Sequence, residues 1–165
     1  MSAILTGQGL REVMRHVPSP VTIVTFIGPD GAKGITIGSF TSVSLDPPLI
    51  SFNVMHESSM HDVLANTDSY AVQILSEEQG ALSEKFAIPN QTSQQQFDGV
   101  MYSFEGDEIP VLDNVLAVLR CRPFKVVSAG DHSLFIGEVI EINSKSLGKP
   151  LLYYKQSYRK VGSEV

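Results

Sequence analysis

The sequence predicts a mainly β fold with short helices, arranged as a β-barrel with helical decoration. Three observations carry this reading. Short runs of β-branched and aromatic residues recur along the chain, Gly, Pro, Asp and Asn clusters punctuate them, and only brief segments show helical spacing. A length of 165 residues fits a single domain over 1–165, large enough to bury a core without disulfides or metals. No internal repeat and no domain boundary interrupt it.

Leu10, Val13, Met14 and Val17 recur at helical spacing, and that helix must stop before Pro18 and Pro20. Val21–Ile27 reads as a strand that ends in the turn cluster Gly28-Pro29-Asp30-Gly31, and the next run restarts near Lys33, so a hairpin is expected. Strand-like runs follow at Gly38–Leu45 and Leu49–Val54, broken by Asp46-Pro47-Pro48. Ser59 and Asp62 form a variant capping box for a short helix through Ala65. Tyr70–Leu75 is a strand, and Ser76-Glu77-Glu78-Gln79 is a second box opening a helix with Leu82 and Phe86 inward.

The Gln/Asn/Ser-rich stretch from Pro89 to Gly99 reads as an exposed excursion. Strand formers return at Met101–Phe104, Val115–Val127, Leu134–Asn143 and Leu151–Tyr154. Arg120 and Arg122 alternate with Leu119 and Cys121, which places Cys121 inward, and Pro123 calls for an edge or a bulge.

Composition removes several function classes. Net charge is −6 with no basic run longer than two residues, which argues against nucleic acid as a partner. No apolar run approaches the roughly 20 residues that span a bilayer. The N-terminal stretch has neither a basic leader nor a long apolar segment, which fits a cytoplasmic protein. A lone cysteine forms no intrachain disulfide, and the four histidines are scattered, with His56 and His61 five apart, a poor spacing for helical metal ligation. Dinucleotide-fold glycine fingerprints, P-loops, zincin motifs and nucleophile elbows are missing from the sequence.

Two stretches carry chemistry. Gly34–Pro48, GITIGSFTSVSLDPP, sets Thr36, Ser39, Thr41, Ser42 and Ser44 in a strand-like run, with Ser51 just beyond. Hydroxyls and backbone amides suit a phosphate and the acceptor-rich edge of a heteroaromatic ring, although Ser and Thr are equally ordinary on the outer face of barrel strands. Ser58 and Ser59 near a helix start add donors for phosphate. Lys85 beside Phe86 offers a charge and an apolar face, or else a solvated helix residue and a core anchor. The second stretch, Ala129–Val139, AGDHSLFIGEV, places His132 in a tight turn before an apolar strand.

Together these stretches resemble the flavin reductase-like family, whose fold is the FMN-binding split barrel, over a core of about 13–158. The resemblance implies flavin contacts (FMN or FAD) at Thr36, Ile37, Ser39, Phe40, Thr41 and Ser42. It implies Asn53 and Val54 near the isoalloxazine, Ser58 and Ser59 near the phosphate, and Lys85, Phe86 and Ala87 at the far rim. His132 in the Gly-Asp-His turn, with Tyr154 and Tyr158 in the closing motif, is implied for the nicotinamide. Two positions depart from the family pattern: Met60 follows the Ser-Ser pair where Thr is common, and Tyr154 stands where His is common.

The activity implied is reduction of FMN or FAD by NADH or NADPH, with reduced flavin passing to a flavin-dependent oxygenase, in a homodimer and with no acid–base catalytic residue. Two other readings stay open at this stage. One is an FMN-binding module for electron carriage or sensing; the other is a relative that acts on a different small molecule, as pyridoxamine phosphate oxidases do on a similar barrel.

Overall fold

The β-branched run after Pro20 forms the centre of a seven-stranded antiparallel sheet. A computed structural model describes residues 5–106, 108–145 and 147–165; the first four residues of the stretch read for a leader lie outside it. In chain order, α1 (Gly7–Met14), β1 (Ser19–Pro20), β2 (Thr22–Gly28), β3 (Gly31–Ile37), β4 (Thr41–Leu45), β5 (Pro48–Met55), α2 (His61–Ala65) and β6 (Tyr70–Ile74) build the first half. Then follow α3 (Gly80–Ala87), α4 (Ser93–Phe97), β7 (Tyr102–Glu105), β8 (Ile109–Leu112), β9 (Ala117–Ala129), β10 (His132–Ser144), β11 (Leu152–Tyr154) and β12 (Ser157–Arg159). The sheet order is β3-β2-β6-β9-β10-β5-β4, with small satellites β1-β11-β12 and β7-β8. Its curl brings β3 back towards β5, and the gap between those two strands splits the barrel.

Both faces of β2 are buried. Ile23 packs with Phe86, Phe97, Leu112 and Leu151 under the helices, while Val24 and Phe26 pack with Phe52, Tyr70 and Phe135 on the other face. The period-two alternation therefore sends successive residues into two cores, and the strand reads as one continuous apolar run. Buried Gln73 ties the β7–β8 satellite to the sheet. Its amide donates to Thr25 Oγ1 (2.7 Å) and to the Pro110 carbonyl (2.9 Å), and its carbonyl accepts the Leu112 N–H (2.8 Å).

Several local expectations are corrected. The Pro89–Gly99 stretch is not simply exposed: it holds α4, with Gln96 and Phe97 buried. The full capping box of the chain also lies there, Thr92 with Gln95. At α2 the cap position is Met60 with no side-chain bond, and Ser58 Oγ accepts the Met60 N–H instead, at 3.2 Å. Ser76 does not cap α3, which starts at Gly80; only the return half of that box forms, with Gln79 Oε1 accepting the Ser76 N–H at 2.9 Å. The strand expected from Gly38 begins at Thr41. Pro123 does sit at a bulge, because the β9–β10 register skips Phe124.

Cys121 is fully buried and points inward, as the alternation required. Burial pushes its thiol up to about 12. An unfolded chain releases that proton from about pH 8.5 upward, whereas the folded one holds it, so the unfolded state binds fewer protons and stability must fall as pH rises. The expected slope is about 1.4 kcal/mol per pH unit between the two values, flattened in Cys121→Ala. Urea melts between pH 8 and 11 measure it, and an unchanged slope in the variant would refute the assignment. Tyr70, also raised mainly by burial, adds to the slope in both proteins at the alkaline end.

Candidate active site

The gap between β3 and β5 is a groove of about 320 Å3. One wall is Gly34–Ile37 of β3, the other Asn53–Met55 of β5, and the 57–60 loop and residues 86–90 after α3 close its ends. His132, first residue of β10, reaches the same space because β10 pairs with β5 in the register His132↔Met55. Gly34 sets the depth. A Cβ built there would stand 2.5 and 2.6 Å from Cδ1 and Cε1 of Phe86, so only glycine lets that ring lie against the strand. The floor is apolar (Ile35, Ile37, Val54, Met60, Phe86) and the polar groups sit at one end (Ser58, Ser59, Asn53, Glu57, His132). A flat heteroaromatic ring with a polar tail fits that distribution.

A second groove of about 290 Å3 shares Thr36, Ile37 and Ala87 with the first. Its other side is built by Ser19–Val21, Ser83, Tyr153 and Tyr158. The two tyrosines are cross-strand partners on β11 and β12, with ring centroids 5.5 Å apart. Tyr158 is fixed by its hydroxyl, 2.9 Å from Ser83 Oγ.

The structure brings Thr36, Ile37, Asn53, Val54, Ser58, Ser59, Phe86, Ala87 and His132 to the first groove and Tyr158 to the second. Ser39, Phe40, Thr41 and Ser42 line neither. Ser39 Oγ accepts the Asn53 N–H at 2.8 Å, and Phe40 packs on the core containing Phe52. Thr36 Oγ1 donates to the Ser83 carbonyl at 2.7 Å. These hydroxyls therefore hold the groove's own backbone. Lys85 opens on a separate depression among Glu78, Asp98 and Asp113. Tyr154 also lines neither groove, and Lys155 Nζ lies 5.5 Å from its ring centroid.

Charge at the first groove is sparse. Among the described residues its lining holds Glu57 and His132 and no Lys or Arg. His132 Nδ1 lies 2.7 Å from Asp131 Oδ1, and that hydrogen bond, with the imidazole's charge, holds the Asp131 carboxyl below the usual range. A carboxylate only accepts, so Nδ1 carries the proton and Nε2 is the atom left for a ligand.

A groove of this shape on a split barrel has a clear counterpart among known proteins. The flavin reductase like domain model matches residues 14–162. The chain belongs to the flavin reductase-like family. An NADH:riboflavin 5'-phosphate oxidoreductase from Streptomyces pristinaespiralis is 37% identical over 153 residues, 92% of this chain and 86% of the relative. The reductase component of a 4-hydroxyphenylacetate 3-monooxygenase from Thermus thermophilus is 31% identical over 154 residues, 93% and 96% of the two chains. The Streptomyces globisporus NADH:FAD oxidoreductase SgcE6, solved with NAD and FAD fragments, superposes with a TM-score of 0.87 at 30% identity over 98% of both chains. The split barrel expected of a flavin reductase-like protein is thus the fold observed.

Proposed function

We propose that this flavin reductase-like chain reduces FMN or FAD with NADH or NADPH and releases the reduced flavin to a flavin-dependent oxygenase. The observation that carries the reading is the pair of grooves sharing Thr36, Ile37 and Ala87. Two ligands laid in them meet along one wall, which is the geometry a transfer between two rings requires. The bound flavin supplies the chemistry, a ring that accepts hydride from the nicotinamide. The chain supplies position: Phe86 and Val54 bound the ring, Ser58 and Ser59 face its phosphate, and His132 orients the nicotinamide. Backbone N–H groups along the 36–42 segment favour the charge on the reduced ring.

Mixing the protein, NADH and a large excess of FMN without oxygen tests this. Bleaching of many equivalents supports the reductase, and bleaching of the bound equivalent alone would replace it with a binding module. Ser58→Ala with Ser59→Ala should weaken FMN far more than riboflavin, which lacks the phosphate, each lost charged hydrogen bond being worth roughly 1.5–3 kcal/mol. Equal losses would move the phosphate elsewhere.

A homodimer belongs to the same reading. Helix α1 has no buried side chain, with Leu10, Val13 and Met14 exposed, and Phe124, Val126, Ile140 and Ile142 are exposed on the long β9–β10 hairpin. A second copy covering these faces gives the helix the packing that holds an amphipathic segment in place. Sedimentation decides it, a monomer at micromolar concentration being the contrary result. No helix among the described residues is long and apolar enough to cross a membrane. We assign the protein to the cytoplasm, where its pyridine nucleotide is found.

A further inference from the structure

His56 and His61, unremarkable by spacing, close on a single hydroxyl. Their Nε2 atoms lie 3.1 and 2.8 Å from Ser133 Oγ, and their rings meet edge to face at 5.1 Å. The other nitrogen of His61, Nδ1, is 2.8 Å from Asp62 Oδ1. Ser133 is buried at 3% exposure, the His61 side chain is 14% exposed, and His56 is open to solvent.

Donor chemistry orders the protons along this chain. A carboxylate only accepts, so His61 donates Nδ1–H to Asp62 and, while neutral, offers a lone pair at Nε2. The one proton of Ser133 goes to that lone pair, and the Ser133 oxygen accepts Nε2–H from His56. Every donor then has an acceptor. An added proton leaves this order intact at one place, Nδ1 of His56, the exposed end. Placed on His61 it would turn Nε2 into a second donor aimed at Ser133 and strand the buried hydroxyl's own proton.

The exposed end stands at the polar end of the first groove. His56 lies between Met55 and Glu57, which line it, and the His56 N–H donates to the Asp131 carbonyl at 2.9 Å, next to His132. The charged groups around the chain are Glu57 on its own loop, Asp62 on α2, and Asp131 with its partner His132 on the β10 turn. Lys33, the cation on neighbouring β3, is tied to Asp30 at 2.9 Å. A phosphate arriving at Ser58 and Ser59 therefore meets carboxylates, with no Lys or Arg among the described lining residues.

We propose that the Asp62–His61–Ser133–His56 chain takes up the proton that accompanies a phosphorylated ligand, which makes His56 a conditional counter-charge for the flavin phosphate. The idea rests on the reading that the Ser58–Ser59 end of the groove receives that phosphate. Binding of FMN should then draw protons from solution, and binding of riboflavin should draw fewer.

Calorimetry in two buffers of different ionisation enthalpy counts those protons. Near neutral pH the wild type should take up a fraction of a proton more with FMN than with riboflavin. His56→Gln should lose that difference and bind FMN several-fold more weakly, with riboflavin unaffected. An unchanged uptake in the variant overturns the proposal and assigns the proton to His132 or to the phosphate itself. Nitrogen NMR of the ligand-free protein tests the order independently: His56 should charge as pH falls while His61 stays neutral and Nδ1-protonated, and Ser133→Ala should erase that order. Charging of His61 first overturns the chain. If FMN shifts no resonance from residues 53–60, the groove reading fails and the phosphate half of the proposal falls with it, while the NMR titration still decides the chain.

Discussion

Replacing Gln96 by Leu should destabilise the protein by roughly 2–5 kcal/mol, the cost of leaving two backbone groups without partners in a buried site. Gln96 is 1% exposed and lies on α4, a five-residue helix whose sequence is mostly polar. Its amide donates to the Gly34 carbonyl at 2.8 Å and its carbonyl accepts the Gly34 N–H at 3.0 Å. Strand β3 is an edge of the seven-stranded sheet, and at Gly34 the glutamine amide stands where a neighbouring strand would be. Leu keeps the volume and removes both bonds. Gln94→Leu, an exposed change two residues away, should stay within about 0.5 kcal/mol. Urea midpoints with an unchanged slope read the difference, and equal midpoints for the two variants would mean that water replaces the amide at no cost. Because Gln96 also lines the first groove, flavin affinity should fall in the first variant and hold in the second.

The same residue shows where sequence reading stops. Composition marks Pro89–Gly99 as polar, and polarity predicts exposure, but an amide can satisfy a strand edge as well as water does, and no local pattern says which. The long strands were legible because β-branched runs and turn clusters report directly on backbone preference. Strand β8 was not, since Ile109–Leu112 is four residues with a proline, and its partner is the nearby β7. Neighbouring side chains explain two site residues. On a helix successive side chains point about 100° apart, so Phe86 turned into the core sends Lys85 elsewhere. On a strand they alternate, so the Tyr153↔Tyr158 pair that faces the second groove turns Tyr154 away. His56 and His61 looked idle because their common partner, Ser133, lies 77 and 72 residues downstream. The hydroxyl-rich segment was legible as a site region, while the roles of Thr36 and Ser39 depended on which backbone groups they would meet.

Gly34→Ala should damage stability and flavin binding together. The new Cβ would stand 2.5 and 2.6 Å from two Phe86 ring carbons and 3.4 Å from Ile23 Cγ2, so the ring has to move. Phe86 is 2% exposed and crosses Phe97 at 5.1 Å and 81°, and Phe97 in turn meets Tyr102 at 4.7 Å. Retreat into that aromatic column is blocked by close packing, and overpacking of this kind costs about 1–3 kcal/mol. The open direction is the first groove, which Gly34 and Phe86 both line. A ring displaced that way occupies the floor on which the flavin would lie. Phe86→Leu removes the clashing ring atoms, so the double variant should be more stable than Gly34→Ala alone although each single change is destabilising. That sign reversal separates a steric cause from a general loss of strand propensity, which the second substitution would only deepen. Denaturation midpoints and FMN titrations of the four proteins give the cycle. Additive losses would show that Phe86 does not rest against Gly34, and the depth of the groove would then need another explanation.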